Sequence, residues 1–260
     1  MSGAFVDGLG RRVVLPAAPR RVVSLVPSQT ELLAHLGLDE EVVGLTRYCV
    51  HPAGWRERKA IVGGTKKART ALVAPLAPDL ILANKEENTR EDVEALEALS
   101  PVFVTDVRDL EGALVMIRDV GALVGRLPAA ERLIEEISAS FEALPAFAPR
   151  RALYLIWREP LMTVGADTFI HDIMARGGLV NVFGDRSRYP ALTEDEVRGA
   201  RPEVILLSSE PYPFKAAHAE AISAIAPEAR VLLVDGEPFS WYGSRLRQTP
   251  EALVALRQRL

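Results

Sequence analysis

Short apolar, β-branched runs alternate with stretches of helical periodicity along this chain. Residues 22–26, 42–45, 80–83 and 102–105 read as buried strands, and the pattern restarts at 152–156, 204–207 and 231–234. Helical spacing fills the intervals, at 30–36, 92–99, 111–124, 168–175, 194–199, 216–225 and 250–260. A strand-then-helix order repeated this often implies parallel sheets. The longest periodic segment opens at Pro128. Leu133, Ile134, Ile137, Phe141 and Leu144 share one helical face there. A helix over 128–144 would be about 25 Å long. Local signals sharpen some boundaries. Ser28-Gln29-Thr30-Glu31 has capping-box spacing, as does Thr193 with Glu196, and Gly37 reads as a helix stop.

One internal echo bears on architecture. Ala77-Pro78-Asp79-Leu80-Ile81-Leu82-Ala83 resembles Arg201-Pro202-Glu203-Val204-Ile205-Leu206-Leu207. Each copy follows a helical segment and leads into an acidic loop. With the long helix between them, the copies predict two Rossmann-like α/β lobes, residues 1–127 and 147–260, joined by a connecting helix over 128–146.

At 260 residues the chain has room for two lobes, and its composition is ordinarily globular. A net charge of −4 argues against a general nucleic-acid binder. The single cysteine excludes an intrachain disulfide, so cysteine usage does not fix the compartment. No apolar stretch reaches membrane-spanning length, and the first ten residues lack a basic segment followed by an apolar run, so no signal peptide is visible. The nucleophile elbow, the phosphate-binding loop and the His-Glu-x-x-His helix are all missing, so no catalytic motif stands out and an enzyme is not expected.

In parallel α/β lobes, ligands bind at the carboxyl ends of strands. The loops expected there collect Ser28, Tyr48, Lys85 and Trp157, and further on Tyr212, Trp241, Tyr242 and Arg245. Aromatic side chains on loops facing a cleft suit a large, flat, partly apolar ligand, with Arg245 supplying charge. Cys49 and His51 are two apart and could ligate a metal, or simply pack. Gly63-Gly64-Thr65-Lys66-Lys67 reads as a turn. Acids gather near helix starts in both halves, at Glu86, Glu87 and Glu91 and again at Glu194 and Glu196. Helix-dipole stabilisation explains them, and a docking role can coexist with it.

These segments carry a family resemblance. Arg21-Val22-Val23-Ser24-Leu25-Val26-Pro27-Ser28 with Thr30-Glu31, then Leu36-Gly37 and Val42-Val43-Gly44, resembles the opening of periplasmic binding proteins for cobalamin, haem and iron-siderophores. Val6-Asp7-Gly8-Leu9-Gly10-Arg11-Arg12-Val13 is similar to their initial hairpin. Leu76-Ala77-Pro78-Asp79-Leu80-Ile81-Leu82, Gly165 with Thr168-Phe169-Ile170, and Gly177-Gly178-Leu179-Val180-Asn181 extend the likeness over the chain. Cobalamin binders are the nearest likeness. Tyr48 aligns with a ligand-stacking tyrosine, and Trp241-Tyr242 with Arg245 resembles an aromatic-and-arginine loop. Asn84 and Thr65 stand where cobalamin binders often carry aromatics.

The resemblance implies a class III solute-binding protein, monomeric, with no tightly bound cofactor and a metal-containing, cobalamin-like cargo. It implies a periplasmic or cell-surface location and an ABC importer whose permease subunits meet one carboxylate per lobe, for which Glu87 or Glu91 and Glu194 are the candidates. An iron-siderophore, haem or metal-ion binder, or a cytoplasmic metal-handling protein or enzyme on the same fold, stays open as the alternative.

Overall fold

The structure is a computed structural model and describes residues 3–260. It is a two-lobed α/β protein. One compact unit holds the residues up to Val107 together with Glu111–Ser138 and Tyr242–Arg245; the other holds Arg108–Leu110, Ala139–Trp241 and Leu246–Leu260.

Unit 1 begins with an antiparallel hairpin, β1 (Gly3–Val6) and β2 (Arg12–Leu15). Then follow β3 (Val22–Ser24), α1 (Pro27–His35), β4 (Val42–Leu45), a short α2 (Trp55–Arg58) and β5 (Ala60–Ile61). A tight hairpin of β6 (Gly63–Gly64) and β7 (Lys67–Ala68) leads through α3 (Thr70–Val73) to β8 (Leu80–Asn84), α4 (Arg90–Glu97) and β9 (Val102–Thr105). The five-stranded sheet has the order β5-β4-β3-β8-β9 and is parallel throughout. Every side chain of β8 and β9 is buried, which is why these strands read as unbroken apolar runs instead of alternating.

The β1–β2 turn covers the β9 edge. Gly8 N–H donates to the Val104 carbonyl at 2.7 Å, and the Asp7 carboxylate accepts from Val104 N–H at 3.3 Å. That buried carboxylate also accepts from Leu9 N–H, Arg11 N–H and the Arg11 guanidinium.

After α5 (Leu110–Leu123) comes α6 (Leu127–Glu142), the longest helix among the described residues; its residues belong to unit 1 through Ser138 and to unit 2 from Ala139. Unit 2 continues with β10 (Arg150–Leu155), β11 (Leu161–Met162), α7 (Phe169–Arg176), β12 (Leu179–Asn181), β13 (Ala191–Leu192), α8 (Glu194–Ala200) and β14 (Val204–Ser208). It closes with α9 (Ala216–Ile225), β15 (Arg230–Val234), a short α10 (Glu237–Ser240) and α11 (Thr249–Arg257). Its main sheet, β12-β10-β14-β15, is again parallel. Leu153, Leu155, Ile205 and Leu207 pack from this sheet against Val197 of α8 and Ile222 and Ile225 of α9. No helix among the described residues is long and apolar enough to cross a membrane.

The echoed segments have a shared physical cause. Ala77 and Arg201 both take a left-handed backbone, with φ of 42° and 45°. Proline follows each, and then an acid whose carboxylate ties down the strand next door. Asp79 accepts from Arg20 and Arg21 N–H at 3.0 and 2.8 Å, just before β3. Glu203 accepts from Arg151 N–H on β10 at 2.7 Å.

Boundaries match the sequence pattern within a residue or two, except at α1, which starts three residues early, and at α11, which ends three residues early. The capping box expected at Ser28 does not form. Val26 is the N-cap residue and offers no side-chain bond, Pro27 occupies the first helical position, and Ser28 lies inside the helix. Proline is well suited there, since the N–H it lacks would be unpaired anyway. Gly37 ends α1 with φ of 77°, a conformation that favours glycine. The second box is present in full. Thr193 Oγ1 accepts from Glu196 N–H, and Glu196 accepts from Thr193 N–H at 2.7 Å.

The Thr193 backbone N–H, and after it the Arg186 guanidinium, hold the Glu196 carboxyl down to about 2. Because the folded value lies below the unfolded one of about 4.3, the stabilisation is present above that pH and is lost as pH falls through about 2. Glu196→Gln should therefore lower the Tm at pH 7, and the gap to the parent should shrink steadily between pH 5 and pH 2. A gap independent of pH would show that the charge on Glu196 contributes nothing.

Candidate functional site

The carboxyl ends of the unit 1 strands run into buried polar side chains. Ser24 ends β3, Thr46 follows β4, Asn84 ends β8 and Thr105 ends β9, and all four are buried. Thr105 Oγ1 donates to the Ala83 carbonyl at 3.2 Å and accepts from Asn84 Nδ2 at 3.0 Å and Gln29 Nε2 at 2.5 Å. Asn84 Oδ1 accepts from Glu86 and Glu87 N–H, and Asn88 Oδ1 accepts from Asn84 N–H at 2.9 Å. These bonds fix the loop after β8. The Asn88 amide then reaches Thr65 at the β6–β7 turn, donating to its carbonyl at 2.8 Å.

Tyr48 is the exposed aromatic of this face, with 55% of its surface accessible. The ring lies beside Gly64: a methyl group placed there would come within 3.2 Å of its Cε2. The Arg47 guanidinium sits 5.8 Å from the ring centroid, a cation–π contact. Gly64 meets the ring at its Cε2 edge, and with no side chain there the exposed tyrosine has room beside Arg47.

Cys49 does not join this surface. Its thiol is fully buried, receiving the Thr30 hydroxyl at 3.1 Å and lying 3.2 Å from the Thr46 hydroxyl. Burial pushes the thiol's pKa up, so it stays protonated. Cys49 is thus packed in the interior, and no cluster of three or more His, Cys, Asp or Glu side chains able to hold a metal occurs among the described residues.

Other candidates are engaged within unit 1. Lys85 Nζ pairs with Asp106 at 2.8 Å. Arg245 lies against α1, its guanidinium forked onto Glu31 at 3.0 and 2.7 Å. Tyr242, a residue of unit 1, is 7% exposed and so is not an open stacking face. Gly243 approaches the helix so closely that a methyl group there would fall 2.5 Å from the Ser28 carbonyl oxygen. Ser28 itself is 4% exposed, and no protein atom among the described residues partners its hydroxyl.

At the carboxyl ends of the unit 2 strands, Trp157 and Tyr212 come together edge-to-face, with centroids 5.5 Å apart and Trp157 39% exposed. Tyr212 is in turn supported by Phe214 at 4.9 Å and by His218, whose Nε2 lies 3.3 Å from the Tyr212 hydroxyl. Trp241 is only 6% exposed. Its indole N–H donates to Glu210 at 2.8 Å, and Ser240 donates to the same oxygen at 2.5 Å. Burial raises the Glu210 carboxyl's pKa against the two hydrogen bonds, helped by the nearby Glu237 and Asp235. Trp241 is thus a packed residue of this loop and not an open stacking face, contrary to its expected role.

The expected docking acids differ in setting. Glu91 and Glu194 are exposed in the first turns of α4 and α8, whereas Glu87 is half-buried. Glu194 also pairs with Arg198 at 2.9 Å. The sequence reading missed Glu31 and Glu210. Their only local signals are an acid one turn into the first helix and an acid before a proline.

Comparison with known proteins places this geometry among related chains. A family model described as periplasmic binding protein matches residues 22–226. The vitamin B12-binding protein of Yersinia pestis is 26% identical over 256 residues, covering 95% of this chain and 87% of that protein. Among solved structures, the periplasmic heme-binding protein RhuT from Roseiflexus sp. superposes with a TM-score of 0.79 at 22% identity, covering 92% of this chain and 97% of that one. The periplasmic vitamin B12 binding protein of Vibrio cholerae gives 0.76 at 18%, covering 94% and 100%. The molybdate-bound protein MolA of Haemophilus influenzae gives 0.80 at 16%, covering 99% and 90%.

The close approach at Gly243 is directly testable. Gly243→Ala should cost about 1–3 kcal/mol, the usual range for overpacking, read as a lower urea midpoint with unchanged slope. An unshifted midpoint would mean that this segment is not seated on α1.

Proposed function

The chain belongs to the periplasmic binding protein family, and on that footing we propose that it captures a corrinoid of the cobalamin type and delivers it to an ABC importer. Proteins of this family bind solutes and are not enzymes, and membership carries a periplasmic role with a transporter as partner. Cobalt would enter as part of the cargo.

The observation that carries the corrinoid reading is Tyr48, held out from the end of β4 on Gly64 and flanked by Arg47. An aromatic face fixed in this way buries a large area at small entropic cost. It suits a macrocycle better than a bare ion. The Trp157–Tyr212 pair gives unit 2 a second aromatic surface at the corresponding strand ends.

Titration with cyanocobalamin, followed by tryptophan fluorescence, tests the proposal. Saturable binding is expected. Tyr48→Ala should weaken it about tenfold or more, while Tyr48→Phe retains most of it. Haemin and a ferric siderophore serve as parallel arms, and binding to either one alone would replace the corrinoid.

Docking can be separated from capture. Of the candidate docking acids, Glu91 in unit 1 and Glu194 in unit 2 are exposed. A single rim ion pair contributes about 0–1 kcal/mol, yet two fixed pairs orient the encounter. The double reversal Glu91→Lys with Glu194→Lys should abolish pull-down of the importer and leave ligand affinity unchanged. Normal docking by the double variant would leave these acids as helix-stabilising charges only.

A further inference from the structure

We propose that the N-terminus of α1 seats an anionic group of the ligand, a phosphate or a carboxylate; the inference rests on the reading of this chain as a solute-binding protein. Helix α1 is nine residues long and starts without a side-chain cap, because its N-cap residue is Val26. Pro27 has no N–H to offer. Thr30 N–H is taken by the Val26 carbonyl at 2.9 Å, which leaves the N–H groups of Ser28 and Gln29 with no protein acceptor among the described residues. A helix start in that condition favours negative charge.

The second observation is the Ser28 hydroxyl. It is enclosed, with no hydrogen-bond partner among the described residues, in a residue only 4% exposed. Serine in the second position of a helix carries its Cα–Cβ bond tilted toward the N-terminus, the direction in which the two orphan N–H groups also point. Three donors of the first turn are therefore left without an acceptor among the described residues. Buried donors are nearly always paired, and an unpaired set calls for a partner from outside the chain.

The surroundings keep the site from being cancelled. No acid lies in the first turn of α1. Glu31, the acid nearest along the helix, has both oxygens held by the Arg245 fork. The Thr30 hydroxyl is turned toward Val26, Ser24 and Cys49 and does not fill the space. Gly243 covers the Ser28 carbonyl, on the acceptor side of the helix, and brings no side chain.

The test uses the full chain, with inorganic phosphate as the first probe and cyanocobalamin (a phosphodiester), haemin (two carboxylates) and cobinamide (neither) as the others. Phosphate should raise the Tm saturably. Ser28→Asp, which places a carboxylate among the donors, should abolish that shift, and Ser28→Ala should weaken phosphate about tenfold. Whichever anionic ligand binds should lose about 100-fold in Ser28→Asp, while cobinamide affinity stays level. If circular dichroism shows Ser28→Asp to be unfolded, Ser28→Ala decides. Ser28-dependent phosphate binding with no corrinoid binding upholds this inference and removes the corrinoid reading. Cyanocobalamin binding equally tight in parent and variants upholds the corrinoid reading and overturns this one. Phosphate binding that is absent, or that survives both substitutions, also overturns it, leaving α1 with a buried water or nothing at its start.

Discussion

Strand ends that are both buried and polar govern how unit 1 is built. Apolar sheets need nothing from the loops that leave them, but Ser24, Thr46, Asn84 and Thr105 each carry hydrogen-bonding atoms into a region closed to water. An unmade bond there costs about 1–3 kcal/mol, so the loops are shaped by the need to supply partners. The Thr105 hydroxyl joins α1, β8 and β9 at one atom. Thr30 joins α1 to β3 and to the loop after β4. The loops bearing Tyr48, Lys85 and the acids at 86 and 87 are consequently held by the sheet, so the surface they present is formed in advance. Preorganisation of this kind reduces the entropy cost of binding.

Unit 2 meets the same demand with different chemistry. Tyr154 is buried on β10 and donates to Ser208 at the end of β14 at 3.0 Å, and Ser208 donates onward to the Glu210 carbonyl at 2.6 Å. The Glu210 carboxylate then gathers Ser240 and Trp241 from the loop after β15. A semi-buried acid with a raised pKa is a costly way to fix a loop. It is tolerable because two donors stand in for the lost water.

The fold was legible because each parallel strand is buried on both faces and so writes itself as an apolar run, with proline and acid marking where β8 and β14 begin. The start of α1 was read wrongly because serine followed three residues later by glutamate is a strong cap signature, and the proline before it looked like a stop. The site was legible in outline only. Tyr48 and Trp157 stand in loops whose positions follow from the strands. Whether an aromatic is open or packed depends on partners far away in sequence. Arg245 finds Glu31 across 214 positions, and Trp241 finds Glu210 across 31. Nothing in the local pattern of either segment announces those pairs. Cys49 shows the reverse case, a residue whose chemistry invites a ligand but whose two threonine neighbours make it an ordinary part of the interior.

The hairpin at the start of unit 1 settles a different matter. Strand β9 lies at the margin of its sheet, and such a margin ordinarily offers a row of amides to any passing extended chain. Here Gly8 and Asp7 already occupy the Val104 groups, and Arg11 reaches the Val102 carbonyl at 3.4 Å. The turn works as a built-in blocking strand, too short to extend the sheet and charged enough to discourage a second molecule from doing so. That margin is thereby closed to the edge-to-edge pairing from which fibrillar self-assembly grows.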